Sequence, residues 1–317
     1  MENPYNLTPP NYQEPPRART IRRAARAALK GHWWRMALVM LVFLLLTTPF
    51  VNISVESGYD FTRIRDGYPS LEAIATVEFG PLARSYIEPI DLSAVENYRL
   101  SFVETAAILY RAGWAAIPGA LQAVVIAAGA LSLLISLFLP VLQLGLYESV
   151  SSLYRGEHPR ASQLFSKMRF FGKALWLGIL EAVFIGLWAL LFFVPGIIAG
   201  YRYAMAFYIL WKNPDMRAID ALRESKRYMD GNKGRLFCLQ FSYIGWYFLV
   251  VAAVAGPVVA FGLLSIPNPR LFLFMPLSRA YEWAGILIGG AFLTSYQHVG
   301  EFEFFRELEA SWNGEPV

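Results

Sequence analysis

Long apolar blocks separated by short polar links set the pattern of this chain. Six blocks stand out: residues 36–51, a stretch within 115–147, then 174–194, 197–211, 236–264 and about 281–299. A bilayer span needs roughly 20 apolar helical residues, so the pattern predicts an all-α, polytopic membrane protein with about six transmembrane helices. The 197–211 block is short for a straight span. Pro140, Pro195-Gly196 and Gly256-Pro257 are expected to kink or break their blocks, with Pro195 and Gly196 forming an interfacial turn between the third and fourth.

Residues 1–16 are polar and proline-rich, which suits a disordered tail. Residues 17–35 carry seven basic side chains and no acid. Arg19, Arg22, Arg23, Arg26 and Lys30 recur at helical spacing opposite Ile21, Ala25, Ala28 and Leu29, which predicts a basic amphipathic surface helix. Residues 36–300 then form the membrane domain, with an outer link at 52–113, and 301–317 a cytoplasmic tail. Within the outer link, 91–111 reads as a surface helix and 70–78 as a shorter one. The first block is expected to be a retained span, not a cleaved signal.

Charge orients these elements. Lys and Arg number seven before the first block, five in 151–173 and seven in 212–235, whereas the outer link has five arginines against nine acids and 265–280 only Arg270 and Arg279. Basic and basic-poor links alternate, which under the positive-inside rule puts both termini in the cytoplasm. The 317 residues are 56% hydrophobic and only 16% charged, too few charges for an ordinary soluble domain. With a single cysteine, Cys238, a disulfide framework is excluded, and that thiol reads as a small buried side chain.

An internal echo runs through the basic links. Shifted by 200 residues, Arg17, Arg23, Arg26, Gly31 and Arg35 fall on Arg217, Arg223, Lys226, Gly231 and Arg235. Each stretch reads as a surface helix, a glycine corner and an arginine at the mouth of a span; residues 162–173 give a weaker version. In the second copy Asn213 is expected to cap the helix, with Pro214 in its first turn.

The run Val194-Pro195-Gly196-Ile197-Ile198, followed by Tyr203-Ala204-Met205-Ala206-Phe207-Tyr208-Ile209-Leu210 and Asn213-Pro214-Asp215, resembles a bacterial integral-membrane family, domain of unknown function 975. Ala221, Ser225-Lys226, Gly231-Asn232-Lys233 and Ser242-Tyr243-Ile244-Gly245-Trp246 continue the likeness, and 27–34 is similar too. Arg202 and Phe207 depart from the family's pattern. The resemblance implies a protein of the bacterial cytoplasmic membrane, and it implies no activity. The chain also looks distantly similar to membrane domains that accompany some glycerophosphodiesterases.

Chemistry in the sequence is sparse. No nucleophile elbow, phosphate loop or metalloprotease helix occurs, and no aspartate lies inside any of the six blocks, so neither an enzyme nor a cofactor is expected. His32, His158 and His298 lie far apart in sequence and suggest no metal site. Glu181, inside the third block, is costly to ionise in hydrocarbon and is the candidate intramembrane polar site, with Gln143 and Gln240 as candidate partners. A proton- or cation-responsive role and a hydrogen-bonded packing role are both open to it. Arg19, Arg22, Arg23, Arg26, Lys30 and Arg35 are expected to meet anionic inner-leaflet lipid, with no nucleic acid involved. A membrane-protein partner or a second copy of the chain also stays open. These features predict a non-catalytic membrane-embedded interaction or envelope protein, with a transporter or lipid-translocating subunit as the alternative.

Overall fold

The computed structural model describes residues 16–47, 51–65, 68–79, 83–86, 90–91, 119–265 and 275–313. The chain divides into two compact units, one of residues 1–47 with 137–317 and one of residues 48–136.

Every regular element among the first unit's described residues is a helix, as expected. Helix α1 (Ala18–Leu29) buries Ile21, Ala25 and Leu29, the apolar side read from its sequence. A corner at Gly31 (φ 83°) turns the chain by 100° into α2 (Trp33–Thr47). Only glycine enters this left-handed region without strain. Helix α3 spans Gly119–Tyr154, and two 3₁₀ turns, Ala161–Phe165 and Met168–Phe170, lead into α4 (Phe171–Leu191). Then come α5 (Phe193–Tyr203), α6 (Ala206–Lys212), α7 (Ala218–Tyr228), α8 (Lys233–Phe241), α9 (Ile244–Ser265) and α10 (Met275–Asn313). Gly231 between α7 and α8 has φ 77°, so the two corners predicted 200 residues apart share one backbone conformation. The weaker third copy has no such glycine; 3₁₀ turns precede its helix instead.

Several boundaries differ from expectation. Pro140 and Pro257 sit inside continuous helices. The break after α4 falls on one extended residue, Phe192 (φ −159°, ψ 149°), and Pro195 and Gly196 lie in the first turn of α5. Proline is tolerated there because first-turn amides have no intrahelical acceptor. A Cβ on Gly196 would lie 2.8 Å from Ala189 Cα, so the glycine serves close packing of α5 on α4. Helix α7 begins at Ala218 after Arg217, not at Asn213, whose carbonyl instead accepts the Met216 amide in a turn. Cys238 is exposed, not buried. Residues 301–313 are no loose tail: they continue α10, and Phe302, Phe304, Phe305, Leu308 and Trp312 are buried.

By length and composition, three stretches among the described residues could cross a membrane: Leu133–Tyr154, Ala161–Leu190 and Lys233–Phe261. The bent pair α1–α2 makes up to four. The count of six is not reproduced. Helix α2 has 15 residues, roughly 22 Å of rise, and the fourth block is divided between the short helices α5 and α6.

The second unit corrects the all-α expectation for the outer link. Strands β1 (Val51–Arg65) and β2 (Tyr68–Phe79) pair antiparallel from Val51↔Phe79 to Arg65↔Tyr68, with a register shift between Asp60 and Ile64. Strand β3 (Ala83–Tyr86) pairs with the end of β2, and β4 (Ile90–Asp91) with Glu72 and Ala73. The helix expected over 70–78 is thus part of β2, and the one expected over 91–111 lies, beyond Asp91, outside the described residues.

Candidate functional site

Helices α5, α8, α9 and α10 bring together a chain of polar side chains centred on Glu301. Tyr201 donates to Gln240 Oε1 (2.7 Å), and Gln240 Nε2 donates to Glu301 Oε1 (2.8 Å). From the other side Gln297 Nε2 donates to the same oxygen (3.0 Å), while Tyr247 donates to Gln297 Oε1 (2.6 Å). His298 Nδ1 lies 3.5 Å from Glu301 Oε2. The Glu301 side chain is 13% exposed. Each amide accepts from a tyrosine and donates to the carboxylate, so the chain's hydrogen bonds run consistently inward to one acceptor.

Of the three residues expected to form a polar site, Gln240 belongs to this chain, but its acid is Glu301, not Glu181. Glu181 is half-buried on α4 and has no hydrogen-bond or ion-pair partner among the described residues. Gln143 lies one turn before the buried Tyr147 on α3. No ion pair joins Glu181 to Arg202 among the described residues. Arg202 lines a cavity of about 180 Å³ with Trp188, Pro195, Ile198 and Ala199. Another cavity, of about 280 Å³, lies between α2 and α10. Glu181 lines neither of them.

Carboxylates also knit together the basic end of the first unit. Glu148 accepts from Lys167 (3.1 Å), Arg155 (3.0 Å) and the Trp211 indole (3.0 Å). Glu309 accepts from Lys212 (2.7 Å) and Tyr208 (3.2 Å). Tyr147, Tyr208 and Trp211 pack with Phe302 at ring-centroid distances of 5.4 to 6.2 Å, joining α3, α6 and α10. Near the end of α10, burial first and the neighbouring Glu303 second push the Glu307 carboxyl above the ordinary carboxylate range, although Arg306 lies 3.7 Å away. A carboxyl raised by folding favours the folded state in acid and opposes it as pH rises past its unfolded value. Glu307→Gln is therefore expected to raise the melting temperature at pH 8, with the gain vanishing below about pH 4. A gain that persists unchanged in acid would show packing, not charge, to be its origin.

The six basic residues expected to meet lipid separate into two groups. Arg19, Arg23, Arg26, Lys30 and Arg35 are exposed. Arg22 turns inward: its Nη1 donates to the Ser242 carbonyl (3.4 Å), and its own carbonyl accepts the Tyr296 hydroxyl (3.2 Å). It ties α1 to the α8–α9 turn and to α10. His32 and His158, 126 residues apart in sequence, meet with Nε2 and Nδ1 3.0 Å apart. Among the described residues no group of three or more His, Cys, Asp and Glu side chains could hold a metal ion.

Among the described residues, long apolar helices around a tyrosine–glutamine–carboxylate chain give three to four candidate membrane spans. The family described as "Protein of unknown function (DUF975)" matches residues 190–311, which supports the resemblance seen in the sequence. The matched segment contains Tyr201, Gln240, Tyr247, Gln297 and Glu301. No curated protein and no solved structure matches the chain.

Proposed function

We propose that this is a multi-pass protein of the bacterial cytoplasmic membrane with a non-catalytic, interaction role, its helices crossing six times and both termini cytoplasmic. The observation that carries the membrane reading is the exposure of α4 and α9. Apolar residues occupy all sides of these helices, yet Leu190 is 88% and Phe248 71% exposed, with Val183, Leu187 and Leu249 also exposed. Contiguous apolar surface on this scale is unfavourable in water at about 25 cal/mol per Å² and neutral in lipid. The interaction role is favoured by the closed polar chain, in which side chains satisfy one another. The exposed cations of α1 suit anionic inner-leaflet lipid, and a membrane-protein partner or a second copy remains compatible with the apolar faces; no nucleic-acid role is proposed.

Cysteine labelling in intact cells tests the topology. In a Cys238→Ser background, a cysteine at Ser70 is expected to react with an impermeant reagent, and one at the exposed Glu157 only after lysis. Equal external labelling of both would overturn the proposed arrangement. Transport is the second reading, favoured by the half-buried Glu181 of α4, which has no hydrogen-bond or ion-pair partner among the described residues; a purified Glu181→Gln protein that folds normally but loses a measurable flux would establish it in place of the first.

A further inference from the structure

The open cavity between α2 and α10 has two chemically different parts. Its walls are apolar: Trp34, Leu38 and Leu41 from α2, with Ile288 and Phe292 from α10. Trp34 is 75% exposed, and its ring meets Phe292 edge-on with centroids 4.8 Å apart. From Trp34 to Leu41 the wall runs roughly 10 Å along the helix. Arg35 also lines this cavity, in the first turn of α2, just past the Gly31 corner.

Positive charge continues outward from Arg35. His32, just before α2, meets the exposed His158 with Nε2 and Nδ1 3.0 Å apart, which brings the segment carrying Arg160 beside the start of α2. Arg35 and Arg160 have no carboxylate partner among the described residues. Glu157, the acid next to His158 in the chain, is held by Arg155 at 3.1 Å. The site therefore combines an apolar groove with uncompensated cations at one end, and it sits where the chain turns between surface helix and proposed span.

We propose that this groove binds one acidic phospholipid, with an acyl chain against Trp34, Leu38, Leu41, Ile288 and Phe292 and the phosphate at Arg35 and Arg160. Charge complementarity selects the headgroup, because a zwitterionic lipid brings its own cation to a site already rich in them. The apolar wall selects a lipid over a free phosphate, which would use the cations and leave the groove empty. The proposal rests on the membrane reading above and adds a defined site to it.

Native mass spectrometry of the full-length protein in detergent tests this. Phosphatidylglycerol is the acidic probe, phosphatidylcholine the neutral one and inorganic phosphate the headgroup alone. One phosphatidylglycerol is expected to bind at least tenfold more tightly than phosphatidylcholine. Arg35→Gln should reduce that preference at least fivefold, whereas Arg23→Gln, removing an equal charge from α1, should leave it intact. Leu38→Trp, which fills the groove at an exposed position, should weaken both lipids while the melting temperature stays near that of the parent. Equal binding of the two lipids, a preference that survives Arg35→Gln, or displacement of phosphatidylglycerol by millimolar phosphate would each overturn the proposal. Vesicle flotation separates the two readings. A protein that fails to float with vesicles refutes the membrane reading itself, and one that floats without the headgroup preference refutes only the site.

Discussion

Gly145→Ala is expected to destabilise the protein by about 3 kcal/mol, at the upper end of the cost of overpacking a tight contact. Gly145 lies in α3 where the backbone of Leu164 crosses it, and an added Cβ would run into the Leu164 carbonyl group. Backbone cannot rotate away as a side-chain tip can, and Leu164 is itself fully buried in its 3₁₀ turn. Gly172, in the first turn of α4, supplies the contrast, because a Cβ there meets nothing within 4 Å. Gly172→Ala should therefore stabilise by about 0.5 to 1 kcal/mol through the ordinary helix preference for alanine. Thermal unfolding of both variants in one detergent decides the matter. A Gly145→Ala protein that melts within about 2 °C of the parent would show that α3 and the 3₁₀ turn do not approach so closely.

Truncating Glu301 should be the most damaging change in the polar chain. Glu301→Ala removes the acceptor on which the Gln240 and Gln297 amides converge, and it leaves two half-buried donors without that partner. Orphaning buried donors costs about 1 to 3 kcal/mol each, and hydrogen bonds to a charged acceptor lie at the stronger end. A loss of about 3 kcal/mol is expected, with Glu301→Gln retaining part of the stability through its carbonyl oxygen. Glu181→Gln should be nearly silent in the same assay, since no hydrogen bond depends on that carboxylate among the described residues. Equal losses from alanine at 181 and at 301 would mean that the chain does not converge on Glu301.

The contrast between these two acids marks where sequence reading succeeded and where it failed. Glu181 draws attention because it interrupts an apolar run. Glu301 does not, because it follows the last apolar block and reads as the start of a charged tail. A signal was nevertheless present: Phe302, Phe305, Leu308 and Trp312 recur at helical spacing, and all four are buried. That stripe continues α10 well beyond its apolar block. The outer link shows the same kind of miss. Val51, Ile53, Val55, Tyr59 and Phe61 alternate with polar residues, and Asp66-Gly67 stands between that run and the next, which together form a hairpin signature. A helical frame imposed on an acidic link concealed it. The glycine corners were legible because their cause is local: one residue type tolerates a left-handed turn, at 31 and at 231. The close approach of His32 to His158 depends instead on how separate elements pack, and no spacing in the chain announces it.

Helix α1 rests on α10, so the seat of the first helix is built by the last. The Tyr296 hydroxyl reaches the Arg22 carbonyl across 274 positions of sequence. Contacts this distant in sequence form late, after many nearer ones. During synthesis, which proceeds from the N-terminus at about 5 to 20 residues per second, α1 emerges long before its partner exists. Until α8 and then α10 have been translated, Ile21, Ala25 and Leu29 lack the helices on which α1 rests in the finished fold. The nascent chain therefore passes through a stage in which its basic helix has no protein partner, and completing α10 is the event that locks it in place.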